Sequence, residues 1–249
     1  MSFHQRLIGK RILVTGGSRG LGRALCTSFA RHGARLALTY VKHADAAEEV
    51  RQECVACGSD ARAFAVSALD LSGTESLIRE LERDWGGIDV LVNNAGITQM
   101  LPLAMIEEED WDQVLDLNVK GTFLTSKAIL PSMIRRRAGL ILNIGSLAGA
   151  RMLVAPVHYA TSKAAIKGFT QALAKELARH QIRVLCLAPG LLDEGMGTNV
   201  PESGLADYLH HCSLGRLGTL QEAAELAAFL ISDDNSYMNG ETVILDGGV

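Results

Sequence analysis

Tyr159, Lys163 and Ser146 are the side chains of this sequence best placed for proton chemistry. On a helix a four-residue step turns through about 400°, so Tyr159 and Lys163 of Tyr159-Ala160-Thr161-Ser162-Lys163 project from one side, a turn apart. Ile166 and Leu173 continue the stripe, so the face carrying a phenol and an ammonium also has to pack against the body of the protein. Standing alone, such a pair reads more simply as a core aromatic and a lysine whose head reaches water. The chemical alternative is that Lys163 holds a positive charge beside the phenol. It then lowers the phenol pKa from about 10 toward working pH and makes Tyr159 a general acid or base. Ser146 follows a strand-like Leu140–Ile144 and is placed to hydrogen-bond the same substrate oxygen.

The elements that must hold these groups alternate regularly. Strands are expected at Lys10–Thr15, Arg35–Tyr40, Ala61–Val66, Ile88–Asn93, Leu140–Ile144, Ile182–Ala188 and Thr242–Leu245. Between them helices are expected at Ala44–Cys57, Thr74–Trp85, one long span from about Glu107 to Leu130, Val157–Arg179 and Gln221–Leu230. Another helix follows strand one, with Leu21, Leu25 and Phe29 on its apolar stripe. Strands separated by helices predict an α/β fold: a parallel, doubly wound, seven-stranded Rossmann sheet with ligands beyond the carboxyl ends of the strands. No linker, repeat or low-complexity tract marks a boundary, so residues 1–249 are expected to form a single domain. The glycine-rich excursion Gly190–Gly218 reads as a substrate lid.

Gly16-Gly17-Ser18-Arg19-Gly20-Leu21-Gly22 joins strand one to its helix. Gly16 allows the tight turn, Gly20 lets a pyrophosphate approach the backbone and the helix N-terminus, and Gly22 allows close helix–sheet contact. Asp70, Asn93-Asn94-Ala95-Gly96, Ser146 and Pro189-Gly190 follow strands three to six in turn. Turn chemistry accounts for the Asn-Gly and Pro-Gly pairs one by one, but not for a whole set converging on one crevice.

At 249 residues, 48% hydrophobic and 21% charged, the chain can bury a large core, and a formal charge of −4 offers no general attraction to nucleic acid or anionic membrane. The opening residues lack a signal-peptide core and no run reaches membrane-span length, so a soluble cytoplasmic protein is expected. The five cysteines do not form a disulfide framework. Cys54 and Cys57 make a lone C-x-x-C at the end of a helix rather than its start, so both read as helix residues and no metal site is expected.

From about Lys10 to the C-terminus the chain resembles the short-chain dehydrogenase/reductase family. Thr15–Gly22, Asp70, Asn93–Gly96, Asn118, Ser146, Tyr159-x-x-x-Lys163 and Pro189-Gly190 carry the resemblance, in family order and spacing. Within the family the Ser-Arg-Gly turn and the ending Leu214–Gly218 with Leu245-Asp246-Gly247-Gly248 are most similar to bacterial 3-oxoacyl-carrier-protein reductases. The resemblance implies that Tyr159 protonates a carbonyl oxygen held by Ser146 while hydride arrives from a nicotinamide. Lys163 would bond the nicotinamide ribose, tune Tyr159 and join a proton relay through water to Asn118. Cofactor contacts are implied at Gly16, Ser18, Arg19, Gly20, Leu21, Gly22, Lys42, Asp70, Leu71, Asn93, Ala95, Gly96, Tyr159, Lys163, Pro189, Gly190 and Leu192, with Asp70 on the adenine edge and Asn93 and Gly96 flanking the adenosine ribose. One departure stands out: Glu194 occupies the place of a threonine that touches the nicotinamide carboxamide or phosphate, and a carboxylate there would repel phosphate.

The function expected is an NADPH-dependent ketoreductase. The alternatives are an alcohol dehydrogenase for a sugar, steroid or other secondary alcohol, or an idle nucleotide-binding protein, which would not need the intact Ser146, Tyr159 and Lys163. Strand two ends Leu38-Thr39-Tyr40-Val41-Lys42 without the acid that grips the ribose 2′-hydroxyl of NAD, so NADP is favoured, its 2′-phosphate held by Arg19 and Lys42. Ala148, Arg151, Met152, Leu153, Leu191 and Met196 are candidate pocket residues and suggest an acyl or alicyclic ketone. A carrier-bound substrate would call for a basic patch near the cleft, and Arg135-Arg136-Arg137 with Arg179-His180 are the candidates, although cations at helix C-termini are favoured whatever the function. Family members are commonly tetramers through the two helices after strands four and five.

Overall fold

Along each central strand, side chains alternate between two apolar layers, and this alternation builds the molecule. In β1 (Arg11–Val14), Ile12 and Val14 enter one layer and Leu13 the other. In β4 (Val90–Asn93), Val90 and Val92 part from Leu91, and in β5 (Gly139–Ile144), Leu140 and Leu142 part from Ile141. Runs apolar on both faces need a helix layer on each side, as in a doubly wound parallel sheet. The computed structural model, describing residues 5–151, 154–195 and 200–249, has that architecture. Its seven parallel strands lie in the order β3-β2-β1-β4-β5-β6-β7, the others being β2 (Arg35–Tyr40), β3 (Ala61–Ala65), β6 (Ile182–Pro189) and β7 (Thr242–Leu245).

One layer holds α1 (Gly20–Arg31), α2 (Ala44–Ala56) and α8 (Leu220–Ile231), through Leu25, Phe29, Val50 and Leu230. The other holds α3 (Leu71–Trp85), α5 (Thr122–Arg136) and α6 (Val157–Leu177), through Leu81, Ile129, Met133 and Leu177. The chain reverses direction across the sheet between β1 and β4, which opens a crevice at the carboxyl ends of both.

The span expected as one helix from Glu107 to Leu130 is three pieces. α4 (Glu108–Leu115) passes into a π-helical turn, Asp116–Gly121, before α5 begins. The bulge is where the buried Asn118 carboxamide leaves the helix surface to bond Ile97, giving an interrupted ladder an identifiable cause. The Gly190–Gly218 excursion, expected only as a glycine-rich lid, also contains a helix, α7 (Glu202–His211). Pro201 stands at the N-cap, where its missing N–H costs nothing. Tyr208 on α7 is buried; its hydroxyl accepts from the Leu191 N–H at 3.1 Å and donates to the Asp246 carbonyl at 3.3 Å, fixing the Pro189-Gly190 turn.

The amino ends of the strands are tied by Asp89, which accepts from Arg11 Nε (2.8 Å) and Nη2 (2.5 Å), the Arg11 amide (3.0 Å) and Arg136 Nη1 (3.0 Å). Partial burial opposes its charge, but the Arg11 hydrogen bonds outweigh that and hold the carboxyl below its ordinary value. Asp89→Ala leaves two guanidinium groups without their acceptor and should cost about 2–3 kcal/mol. Calorimetry at pH 7 should show Tm several degrees lower. Because the folded pKa is depressed, this stabilisation is present above the unfolded carboxylate pKa of about 3.9 and fades as pH falls through the folded value, so the two proteins should converge in acid.

Among the described residues no helix is long and apolar enough to cross a membrane, and no group of three or more His, Cys, Asp or Glu could hold a metal ion. All five cysteines are free.

Candidate active site

A crevice of about 1020 Å³ runs across the carboxyl ends of β1, β2, β4, β5 and β6. At one end lies the turn into α1. Gly16 has φ +65, and a Cβ there would come within 3.0 Å of the Ala95 Cα; a Cβ on Gly22 would run into the Gly16 carbonyl. These positions therefore have to be glycine for the β1 turn to nest against β4. The α1 N-cap is Arg19, in extended conformation, with no side-chain cap and no acid in the first turn. The positive end of that helix is thus open to an anion from the crevice. Arg19, Lys42 and His43 line the same wall. These residues fit a dinucleotide with an extra phosphate on its adenosine ribose. Glu194 also lines the crevice, with Gly195 beside Gly20, and its charge is felt by Arg23. It is the group that matches a phosphate least.

At the other end Tyr159, in the first turn of α6, shares the crevice with Ser146, two residues beyond the end of β5. Ser146 accepts from the Ala148 amide at 3.2 Å, and its hydroxyl is near enough to the Tyr159 phenol to draw the phenol pKa down. Lys163 is 5% exposed, deep for a lysine; its Nζ donates to the Ile144 carbonyl at 2.8 Å and lies 5.7 Å from the centre of the Tyr159 ring. Burial brings the Lys163 ammonium down to about 8. The expected lowering of the Tyr159 pKa by Lys163 is not found: the phenol stands above its ordinary value. Burial pushes the phenol up, and the opposing influence is the Ser146 hydroxyl rather than the lysine. The physical reason is that the ammonium is committed to a backbone carbonyl, while desolvation penalises the phenolate.

Gly16, Ser18, Arg19, Gly20, Leu21, Gly22, Lys42, Ala95, Gly96, Ser146, Tyr159, Lys163, Pro189, Gly190 and Leu192 line one crevice. Four residues expected there do not. Asp70 N-caps α3, its carboxylate accepting from the Gly73 amide and the Ser72 hydroxyl, both at 2.9 Å, and Leu71 opens that helix. Ser67, Ala68 and Leu69 take the place at the crevice. Asn93 continues the alternation of β4 into the α5/α6 layer: it donates to Ser126 and Asn143 at 3.0 and 2.9 Å and accepts from Thr125 at 2.6 Å. The crevice side belongs to Asn94, whose Nδ2 binds the Thr15 and Gly16 carbonyls at 3.0 Å. Asn118 does not reach the crevice either. Its Oδ1 accepts from the Ile97 amide at 2.8 Å, and its Nδ2 donates to the Ile97 carbonyl and Ser162 Oγ at 3.0 and 2.9 Å. With its carboxamide fully engaged, Asn118 is a positioning residue for the Gly96–Ile97 segment.

Of the candidate pocket residues, Ala148 and Leu191 line the crevice, while Arg151 turns to the C-terminus, 3.3 Å from Asp246. Met152, Leu153 and Met196 lie outside the described residues. The basic patch is misplaced for this crevice. Arg135 pairs with Glu82 and Arg136 with Asp89; Arg137 donates to the Arg179 carbonyl at 3.1 Å. Arg137 and Arg179 therefore adjoin, but they precede β5 and β6 and stand at the amino ends of those strands, about 20 Å from the crevice. Residues 107–116 supply instead an acidic rim, through Glu109, Asp112 and Asp116.

A parallel sheet reversing at β1/β4, a glycine turn opening onto a free helix N-terminus and a Ser–Tyr–Lys constellation define a nucleotide-binding oxidoreductase. The family model for short chain dehydrogenases matches residues 10–204, and the chain belongs to that family. The 3-oxoacyl-[acyl-carrier-protein] reductase of Thermotoga maritima is 36% identical over 244 residues, covering 98% of this chain and 99% of the relative. Among solved structures, a short chain dehydrogenase from Burkholderia cenocepacia in complex with NADP is 34% identical with a TM-score of 0.89, covering 98% of both chains. An NAD+-bound xylitol dehydrogenase is 29% identical with a TM-score of 0.90, covering 98% of this chain and 100% of the other.

Proposed function

We propose that this chain is an NADPH-dependent ketoreductase, reducing a ketone such as a 3-oxoacyl thioester to a secondary alcohol. The observation that carries this reading is that Ser146, Lys163 and a Tyr159 that burial keeps protonated line one end of the crevice together. When bound, the nicotinamide supplies hydride to the carbonyl carbon. Ser146 and Tyr159 hold the carbonyl oxygen, and Tyr159 gives up its phenolic proton as charge develops there. Lys163, 5.7 Å from the centre of that ring and bonded to the Ile144 carbonyl, does not set the resting pKa of the phenol; its charge acts once the phenolate forms, and solvent then returns the proton. Leu191, Leu192, Glu194 and Val200, from the stretch read as a substrate lid, line the crevice.

The experiment that tests this uses purified protein, NADPH and a ketone panel that includes acetoacetyl thioesters, followed at the nicotinamide absorbance. Turnover of alcohols alone would favour the second reading, a secondary-alcohol dehydrogenase, which the likeness to a xylitol dehydrogenase supports. Cofactor choice rests on Arg19 and Lys42. Arg19→Ala should weaken NADPH binding by about tenfold or more while changing NADH by less than about twofold, because a charge-assisted bond to the 2′-phosphate is lost. Equal losses for both cofactors, in a fluorescence titration, would show the arginine to be general electrostatics.

The 3-oxoacyl reductase relatives favour a carrier-bound substrate. Arg179→Glu should then raise KM for a carrier-bound ketoester and spare a free thioester, more so at low salt. Since Arg179 is remote from its own crevice, such an effect would act at the crevice of a second copy in the homotetramer proposed here. Equal effects on both substrates, or none on either, would count against carrier docking and favour a free ketone or alcohol.

A further inference from the structure

His158 precedes Tyr159 and is 0% exposed, yet nothing in the reaction outlined above uses it. Its Nδ1 lies 2.9 Å from the Tyr159 amide nitrogen, and its Nε2 lies 3.2 Å from Oε1 of Gln99. The Gln99 amide in turn donates to Oδ1 of Asp110 at 2.8 Å, and Oδ2 of Asp110 accepts from the Glu107 amide at 3.3 Å. The proton positions in this chain follow from its two ends. A carboxylate only accepts, so the NH₂ of Gln99 faces Asp110 and its carbonyl faces His158, which requires a hydrogen on Nε2. A backbone N–H only donates, so Nδ1 is bare.

That bare nitrogen has a structural duty. The α6 N-cap is Pro156, which offers no side-chain acceptor, so the amide of Tyr159 would be an orphan of the first turn without His158. The imidazole thus caps the helix at the residue that carries the phenol. Through Gln99 it ties that turn to the Thr98–Met100 edge and the α4 wall of the crevice.

We propose that His158 is a positioning residue for proton transfer: as a neutral Nε2–H imidazole it fixes Tyr159 against the 94–100 loop and α4, and the site works only in that state. The proposal rests on the reading of Tyr159 as the proton donor. Protonation would put a hydrogen on Nδ1 facing the Tyr159 N–H, and a positive charge at the positive end of α6. Of the groups bearing on His158, α4 supplies Asp110, whose charge favours the imidazolium; the loop supplies the neutral Gln99; its own helix supplies the Tyr159 phenol, which stays protonated. Burial outweighs Asp110 and keeps the imidazole below the ordinary histidine value, so the loss is expected below about pH 6.5.

The test compares wild type, His158→Asn and His158→Ala from pH 5 to 8. Asn places Oδ1 where Nδ1 stood and does not titrate, so it keeps the cap. In wild type kcat should fall tenfold per pH unit below the His158 midpoint. His158→Asn should stay within threefold of the wild-type pH 7.5 rate down to pH 5. His158→Ala should lose at least tenfold throughout, with NADPH affinity within twofold in all three. An acid limb unchanged in His158→Asn, or wild-type kcat in His158→Ala, overturns the proposal. Imidazole ¹⁵N spectra of the ligand-free protein decide it independently of any substrate. An Nε2–H tautomer titrating below pH 6.5 together with the Tyr159 amide is expected; an Nδ1–H tautomer, or a Tyr159 amide indifferent to that titration, overturns it. If wild type reduces no ketone and oxidises no alcohol, the ketoreductase reading fails while the spectra still judge the placement of His158.

Discussion

Tyr159→Phe should lower kcat by about 10³-fold or more while NADPH binds within about twofold of wild type. In the proposed mechanism the hydroxyl serves twice in the transition state, as proton donor and as hydrogen-bond donor to the developing oxyanion, and each role is worth about 10²-fold or more. In the ground state it contributes little, because the ring is buried by α6 packing and Ser146 retains its bond from the Ala148 amide. A mutation that removes only transition-state interactions lowers kcat and kcat/KM together. Turnover that survives in this variant would move the acid to another group. The raised pKa of Tyr159 also sets a direction: with the phenol neutral below its ordinary value of about 10, the acid for reduction is loaded at neutral pH, whereas oxidation needs the phenolate. Alcohol oxidation by the same protein should therefore speed up as pH rises, and a pH-independent oxidation rate would contradict this assignment.

The sequence was readable where one periodicity dominates. Strands apolar on both faces, such as Leu91 in β4 and Ile141 in β5, admit one architecture, and the glycine turn and the Tyr159–Lys163 pair fall where that architecture puts ligands. It was less readable where a choice hangs on a single residue. Asn93 and Asn94 differ only in strand parity, and parity sends one into the polar network with Asn143 and Ser126 and the other to the crevice. Asp70 looks like a ligand because acids at strand ends often are, but β3 stops at Ala65, far enough upstream for Asp70 to cap α3 instead. The place of Arg137 and Arg179 could have been read without coordinates, since a helix end immediately before a strand lies opposite that strand's carboxyl end. The π-turn at Asn118 and the duty of His158 could not, because both depend on partners distant in sequence, Ile97 and Gln99.

Lys163→Met should stabilise the fold while disabling the enzyme. Burial holds the ammonium at about 8 against about 10.4 in an unfolded chain, so between those values the unfolded chain binds more protons and stability rises with pH. Below pH 8 the folded protein carries the charge at a cost on the order of 3 kcal/mol. Methionine fills the same channel without that cost but leaves the Ile144 carbonyl without its donor, which returns about 1–2 kcal/mol. The net gain, about 1–2 kcal/mol, should raise Tm at pH 7 by a few degrees, and the advantage should shrink as pH climbs through 8 toward 10. Catalysis should fall by at least about 10²-fold and NADPH affinity with it, because the proposed mechanism has one ammonium act both on the Tyr159 phenolate and on the nicotinamide ribose. In wild type the reduction rate should decline as pH rises through about 8 and the charge is lost. A variant less stable than wild type, or one binding NADPH normally, would mean that Lys163 is there for packing. A gain in stability with loss of both activities means that the fold tolerates a strained charge for the sake of the chemistry, the trade expected where a buried cation is held by a carbonyl and a ring face and by no carboxylate among the described residues.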